Sequence, residues 1–585
     1  LMNKSSYQRI IYVILIFLYF FSSAHSQLKW HNPLKVNYPV VQNYGFERSD
    51  EYLYGRLPCK AKKIVSTSVW NLACQSAGLA IHFYTNSPQI CVRYMVSDPL
   101  SFPHMPLTGV TGVDLYCIDN DGKWYYCFGG YSLKDTVIYS YSRFPQNKYH
   151  DKGYEFRLYL PLYNRVKWME IGVLDTYDLT FIPASDEKPI VLYGTSITQG
   201  ACASRSAMAW STILQRTLDY PLVNLGFSGK GTMDKELIGL IGNINARLYI
   251  LDCLPNLYDL SRNDLIDRLV SCVKKLREKS SVPILMLEHA GSSNMEMDTL
   301  QYSYVANVNA GSREAYEQLS AEGIPEIYYL SREELNLSMD SWVDLVHPND
   351  FGMSQYANVV EMKVRDILNI PSSTSSTTCP VTQRRCVDYE WLDRHLKIVD
   401  LVCKKKPKAI ILGNSITHYW GGDPSCDIKN GSECWEKEMN PRGYLNLGCA
   451  WDRIENLLWR VYHGELEGYE AEKIVVMIGI NNVGLDSEED IVKGIKFLLS
   501  EIRVRQPKAD IKVVGLLPCR NQEHQVKSIN KQLKRIAERD TYFYSDPGRL
   551  LLLDNGCIDE CLFTDGTHLN EKGYNRIVKE LISFE

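Results

Sequence analysis

Two serines occupy nearly the same setting in this chain. Ser196 lies in Gly194-Thr195-Ser196-Ile197-Thr198, and Ser415 lies in Gly413-Asn414-Ser415-Ile416-Thr417. Each follows a short apolar run ending in glycine, Ile190 to Tyr193 in the first case and Ala409 to Leu412 in the second. Each is followed, 151 and 153 residues later, by the histidine of an Asp-x-x-His: Asp344 with His347, and Asp565 with His568. A hydrolytic serine needs an exposed hydroxyl, a base to take its proton, a group that orients the base, and donors for the oxyanion that develops on the attacked carbonyl. A strand, a Gly-x-Ser turn and a helix would place the hydroxyl at the carboxyl end of a strand, where open α/β sheets carry their sites. The helix N-terminus would then face the oxyanion. The short Asp-x-x-His spacing lets both side chains reach one place from a single loop.

The remaining donors must come from intervening segments. In the first copy Asn224-Leu-Gly-Phe-Ser-Gly229 and Leu251-Asp-Cys-Leu-Pro-Asn256 each follow an apolar run. In the second, Asn446-Leu-Gly-Cys-Ala-Trp-Asp452 and Gly479-Ile-Asn481-Asn482 stand in the same ordinal places. With these blocks the sequence resembles the SGNH/GDSL hydrolases, over roughly 190–365 and again over 405–585. Asp-Gly-Thr-His568-Leu-Asn-Glu-Lys-Gly573 is close to the family's last block, and Asp344-Leu-Val-His347-Pro-Asn-Asp-Phe-Gly352 is nearly as close. The region 40–180, with Val69-Trp-Asn-Leu and Pro106-Leu-Thr-Gly-Val-Thr-Gly-Val-Asp-Leu-Tyr116, resembles the β-sandwich module that precedes some members.

The resemblance implies Ser196 as nucleophile, His347 as general base and Asp344 as its orienting carboxylate. The backbone N–H groups of Ser196 and Gly229 and the amide of Asn256 would form the oxyanion hole. In the second copy Ser415, His568, Asp565 and Asn481 would take these roles. Two departures stand out. The usual Gly-Asp-Ser becomes Gly-Thr195-Ser and Gly-Asn414-Ser. The oxyanion glycine of the second copy aligns with Trp451, and a register one residue earlier would make Ala450 the donor instead. Only a backbone N–H is needed there, so either residue can serve. No metal or cofactor is implied. His104 and the pair Glu288-His289 are expected to be loop or packing residues. Trp210, Trp420 and Trp459 are expected in the core more than on a sugar platform. Cys253 and Cys449 read as small buried hydrophobes.

Two kinds of element must hold these residues. From Gln27 to about Pro183 short runs rich in Tyr, Val, Ile and Trp alternate with Asn, Asp, Gly and Pro, the pattern of an all-β sandwich or jelly roll. Ile64 to Ala73 is read as one of its strands. From Lys188 strand-like runs at Ile190–Tyr193, Leu222–Leu225, Arg247–Leu251, Ile284–Leu287 and Ile327–Leu330 alternate with helical stretches, which argues for a parallel sheet wrapped by helices. The same texture returns after 405, with runs at Ala409–Leu412, Tyr444–Leu447, Lys473–Ile478, Lys512–Leu516 and Thr541–Tyr544. Between the two copies Pro371 to Thr378 is a polar Ser/Thr stretch with the composition of a flexible linker. The expected layout is a leader at 1–26, a β-sandwich module at 27–185, a first SGNH domain at 186–370, a linker at 371–380 and a second SGNH domain at 381–585. Each SGNH domain is expected to be flavodoxin-like, with three α/β/α layers.

The chain has 585 residues, 45% apolar and 23% charged, with a formal net charge of −5, so it has neither the composition of a disordered protein nor a basic footprint for nucleic acid. Lys4 and Arg9, the apolar stretch Ile10 to Phe21, and Ala24-His25-Ser26 read as a cleavable signal with a mature start at Gln27. Export to a secreted or periplasmic location would permit disulfides among the 17 cysteines, with close pairs such as Cys426/Cys434 and Cys557/Cys561 as candidates. No Cys/His spacing matches a zinc motif. The resemblance implies ester hydrolysis. Export and the β module point to acetylated oligo- or polysaccharides as the substrate, with no nucleic-acid partner and no stable membrane insertion. Two other readings stay open. One is a lipid or phospholipid acylhydrolase, since Asn446 to Arg460 resembles the platelet-activating-factor acetylhydrolase branch. The other is a glycan-binding protein whose hydrolase folds are degenerate.

Overall fold

Along Thr136–Ser142 buried and exposed residues alternate one by one, the two-residue period of a strand with one wet face. The computed structural model describes residues 27–47, 54–386 and 388–584. The expected leader at 1–26 lies outside the described residues. Two compact units emerge. One runs to Ile367 apart from Ile118–Lys123, and the other comprises Ile118–Lys123 and the chain from Leu368.

The first unit opens with two sheets packed on a shared core that includes Ile81, Phe83, Val92, Tyr94, Phe156 and Ile171. One sheet runs, in spatial order, Leu28–His31, Val166–Leu174, Gln89–Val96, Thr136–Ser142 and Gly130–Ser132, antiparallel throughout. The other runs Leu179–Phe181, Ala80–Thr85, Tyr154–Tyr159, Asp114–Ile118 and Trp124–Cys127, with Val41–Gln42 also paired to Ala80–Thr85. One expectation fails here. Ile64 to Ala73 is not a strand, because Thr67–Ala73 is a helix capped by Ser66 Oγ, which accepts from Val69 N at 3.3 Å. The cap outweighs the β-branched residues, and Val69, Trp70 and Ala73 pack into the core of the neighbouring α/β domain.

That domain carries five parallel strands, Ile190–Gly194, Leu222–Gly226, Leu248–Asp252, Ile284–Leu287 and Ile327–Leu330, in spatial order 2-1-3-4-5. In the second unit Ala409–Gly413, Tyr444–Gly448, Lys473–Met477, Asp510–Val514 and Phe543–Ser545 repeat the order strand for strand. Both are doubly wound sheets. Their strand order opens a crevice at the carboxyl ends of the first and third strands, where the connections diverge. Gly194 and Gly226 face each other at that end in the first sheet, as do Gly413 and Gly448 in the second.

The Ser/Thr stretch departs from its composition. Thr377 and Thr378 are buried, Thr377 Oγ1 donates to the Asp490 carbonyl at 2.8 Å, and Ser376 Oγ donates to Asp486 at 2.9 Å. A Cβ on Gly494 would meet Thr377 Cβ at 2.6 Å, so the helix Glu488–Arg505 is built to receive this segment. It is a packed strap on its own domain. Cys426, Cys434, Cys557 and Cys561 carry free thiols.

Candidate active sites

Both serines sit on one-turn helices, Ser196–Gln199 and Ser415–His418, that start directly at the end of the first strand. The turn is tight enough to dictate glycine. A Cβ on Gly194 would lie 2.0 Å from Thr198 Oγ1, and one on Gly413 would lie 2.1 Å from Thr417 Oγ1. On the adjoining strand a Cβ at Gly226 or Gly448 would strike the backbone N of Gln199 or His418 at 2.2 and 2.4 Å. The residue before each serine is an N-cap. Thr195 Oγ1 accepts from Ile197 N at 3.3 Å and Asn414 Oδ1 from Ile416 N at 3.0 Å. Both preserve the acceptor that an aspartate would supply, which accounts for the departure from Gly-Asp-Ser. A single turn has too few aligned peptides for the dipole expected from the sequence. Any anion at that turn would be met by individual N–H groups.

The two hydrogen-bonded chains agree closely. Ser196 Oγ lies 2.8 Å from His347 Nε2, and His347 Nδ1 lies 2.8 Å from Asp344 Oδ2. Ser415 Oγ lies 2.8 Å from His568 Nε2, and His568 Nδ1 lies 2.6 Å from Asp565 Oδ2. The second oxygen of each aspartate closes its own loop. Asp344 Oδ1 accepts from the backbone N–H of Val346 and His347, and Asp565 Oδ1 from those of Thr567 and His568. Burial alone would raise these carboxyls. The histidine and backbone donors outweigh it, and both aspartates sit below the usual carboxylate range. They therefore stay ionised at neutral pH and hold Nδ1–H in place, which leaves Nε2 as the lone pair facing the serine.

The loop after the second strand settles the register left open by the sequence. In the first unit Gln199 Oε1 accepts from Ser228 N at 3.1 Å. In the second His418 Nδ1 accepts from Ala450 N at 3.1 Å. Burial pushes His418 down to about 2, so the ring stays neutral and able to accept. Ala450 is thus the counterpart of Ser228, its N–H is already engaged, and Trp451 is the counterpart of Gly229. Their backbones coincide in the left-handed region, with φ of 64° at Gly229 and 66° at Trp451. The indole swings outward and donates to Asp388 Oδ2 at 2.8 Å. The asparagines are anchored from opposite ends. Asn256 Oδ1 accepts from Gly231 N at 3.0 Å, whereas Asn481 Nδ2 gives one hydrogen to the Asp452 carbonyl at 2.9 Å and keeps a second.

Several supporting residues escape a motif search. A buried arginine holds each loop by its strand-end glycine. Arg56 Nη1 donates to the Gly226 carbonyl at 2.5 Å while Nε and Nη2 reach the Gln75 and Leu72 carbonyls, and Arg394 Nε donates to the Gly448 carbonyl at 2.6 Å. The first comes from the segment between Val41–Gln42 and the helix Thr67–Ala73, and the second from the helix Trp391–Lys405, so no shared spacing marks them. Tyr163, also from the β module, donates to the Ser196 carbonyl at 3.3 Å. Asp252 takes Thr198 Oγ1 at 2.6 Å and Tyr356 OH at 2.8 Å, tying the nucleophile turn to the helix Asp350–Leu368. Met477 holds the corresponding register position in the second unit, where Thr417 Oγ1 has no partner. His104 packs as expected of it, its ring stacked on His347 with centroids 5.9 Å apart. Trp210, Trp420 and Trp459 are buried, as are Glu288, His289, Cys253 and Cys449.

Residues 187–365 match the family model described as GDSL-like Lipase/Acylhydrolase family, and residues 411–576 match a second model of the same description. Residues 28–179 match the model for the N-terminus of SGNH-hydrolase-type esterases. The chain is 28% identical over 203 residues to platelet-activating factor acetylhydrolase IB subunit alpha1 of Homo sapiens, covering 34% of this chain and 83% of that protein. It is 29% identical over 201 residues to the alpha2 subunit of Rattus norvegicus, covering 33% and 82%. A crystal structure from Bacteroides ovatus, described as a GDSL-like lipase, superposes with a TM-score of 0.55 at 29% identity, over 60% of this chain and 100% of that one. The chain belongs to the GDSL-like lipase/acylhydrolase family of ester hydrolases, with two such domains in tandem behind an SGNH-esterase N-terminal module.

Proposed function

We propose that the protein is an exported serine esterase with two catalytic centres that removes O-acetyl groups from complex carbohydrates. The observation that carries the chemistry is the unbroken Ser–His–Asp chain in each unit, at 2.8 Å between serine and imidazole in both. His347 or His568 takes the serine proton as Oγ attacks the acetyl carbonyl. The oxyanion is received by the N–H groups of Ser196 and Gly229 with the Asn256 amide, or of Ser415 and Trp451 with the Asn481 amide. The sugar alcohol leaves with a proton from the imidazolium, and water attacks the acyl-enzyme by the same route in reverse. None of these steps calls on a metal.

Acetyl as the acyl group is supported by the word acetylhydrolase in the names of the curated relatives. A carbohydrate as the alcohol is supported by the β module and by its exposed aromatics Tyr125, Tyr126, Phe128 and Tyr131, rings of the kind that sugars stack on. Export rests on the leader-like residues 1–26. Among the described residues no helix is long and apolar enough to cross a membrane. The same relatives favour a second reading, hydrolysis of a phospholipid acetyl ester. Incubating the protein with acetylated xylan, acetylated pectin and an sn-2 acetyl phospholipid, with acetate as the readout, separates the two. Turnover of the phospholipid alone would replace the carbohydrate reading.

A further inference from the structure

At the first catalytic histidine the fold gathers four donors, two of which, His104 and Cys202, linear spacing does not join to the Asp344-x-x-His347 loop. His104 comes from the β module and Cys202 from the loop after the nucleophile turn. With Asp344 and His347 they offer ligand atoms that all lie within 4.8 Å of one another. The His104 and His347 rings stack with planes 23° apart. Cys202 Sγ donates to the His104 carbonyl at 3.4 Å, which ties the two loops together. Cys202 itself holds a φ of 68°, a backbone state that side-chain-bearing residues rarely adopt, so the surrounding loop and not local preference fixes where the thiol points.

We propose that His104, Cys202, Asp344 and His347 form a Zn²⁺ site whose occupancy switches off the first catalytic centre. Two imidazoles, one thiolate and one carboxylate are the donor types of four-coordinate zinc. Bond lengths of roughly 2.0–2.3 Å put neighbouring donors about 3.3–3.7 Å apart, so the four need to close by about an ångström, within the reach of side-chain rotation. On coordination the Cys202 thiol releases its proton to solvent and the sulfur becomes the ligand. Asp344 and His347 give up the hydrogen bond between them for bonds to the metal: the Nδ1 proton passes through solvent to Nε2, and the freed Nδ1 lone pair becomes the ligand. A ring held by zinc and no longer aligned by Asp344 cannot take the Ser196 proton.

The second unit supplies an internal control. Six residues after its serine stands Gly421, where the first unit has Cys202, and the ring against His568 is the phenol of Tyr419 at 5.3 Å. Among the described residues no second donor cluster of this kind occurs. The inhibitory consequence rests on the serine-esterase reading, whereas binding does not.

Cobalt(II) reports thiolate ligation by its sulfur-to-metal charge-transfer absorption, and the full chain is the material to titrate. The expected band is abolished by Cys202→Ser, and His104→Ala weakens cobalt affinity at least tenfold, with far-ultraviolet circular dichroism confirming that both variants fold. In parallel, zinc inhibits 4-nitrophenyl acetate hydrolysis by the Ser415→Ala chain at least tenfold more strongly than by the Ser196→Ala chain, and adding His104→Ala removes the difference. A band that survives Cys202→Ser, or equal zinc inhibition of the two serine variants, overturns the proposal. A Ser415→Ala chain inactive without any metal contradicts the catalytic reading of the first centre instead, and the cobalt spectrum still decides the metal site.

Discussion

At the scale of single residues, the two oxyanion loops share a backbone and differ in a side chain. Trp451 holds a conformation that costs a side-chain-bearing residue about 1–2 kcal/mol, and Gly229 holds the same conformation without that strain. Trp451→Gly relieves the strain but adds about 0.5–1 kcal/mol of unfolded-state entropy, so the unfolding free energy from urea titration should change by no more than about 1.5 kcal/mol. Hydrolysis at the second centre should persist, because the N–H remains. Gly229→Ala meets nothing within 4 Å of its new Cβ, so only backbone strain of about 1 kcal/mol is expected, with kcat little changed. The amide side chains should behave differently. Asn256→Ala and Asn481→Ala are each expected to lower kcat of their own centre by about 10²–10³ with KM nearly constant, measured with the other centre's serine replaced. The triad aspartates sit below the usual carboxylate range, so their ionic contribution is fully present at neutral pH and is lost only as pH falls through that depressed range.

At the scale of elements, the nucleophile turn of the first unit is tied down by a carboxyl that the second unit lacks. Burial raises Asp252 to about 7, with the Thr198 and Tyr356 hydroxyls opposing it. A carboxyl raised in the folded state contributes stability that is present below its unfolded pKa and is lost as pH rises toward 7. The first unit should lose up to about 4 kcal/mol between pH 4 and 8 from this group, and Asp252→Asn should flatten that part of the slope in urea titrations at several pH values. The residues that the fold brings together at each strand end were legible in the sequence for a physical reason. Chemistry at a strand end needs glycine where backbones touch, a capping side chain before the serine, and a short Asp-x-x-His loop, and all three are local. What holds those elements was not legible. Arg56 and His104 act across more than 90 residues of chain, Tyr163 acts across 33, and Arg394 does the work of Arg56 from an unrelated helix. The helix Thr67–Ala73 was misread because its β-branched residues matched a strand while a single cap decided otherwise. The Ser/Thr stretch was misread because composition says nothing of a glycine on a distant helix shaped to receive a threonine.

At the scale of the whole molecule, the first unit is a sandwich and a hydrolase domain with one shared catalytic scaffold. Arg56 makes that dependence testable. It is buried, its hydrogen bonds go to carbonyl and amide oxygens, its guanidinium lies over the Phe227 ring at 4.9 Å, and burial lowers it to about 9. Arg56→Ala strands those oxygens and is expected to destabilise the first unit by about 3 kcal/mol or more. Acetate release by the second centre should be unchanged, which a Ser196→Ala background reports directly. The second unit repeats the same sheet and the same hydrogen-bonded triad with different supports. That pattern fits two centres that kept their chemistry while their surroundings diverged. The most direct test is acetate release from a panel of acetylated glycans by the unmodified chain, Ser196→Ala, Ser415→Ala and the double variant. Two working centres require that each single variant lose activity on a different part of the panel and that the double variant release no acetate above background. A double variant as active as the unmodified chain would contradict serine catalysis altogether, and one single variant impaired on every substrate while the other is unaffected would contradict the centre whose serine can be replaced without loss.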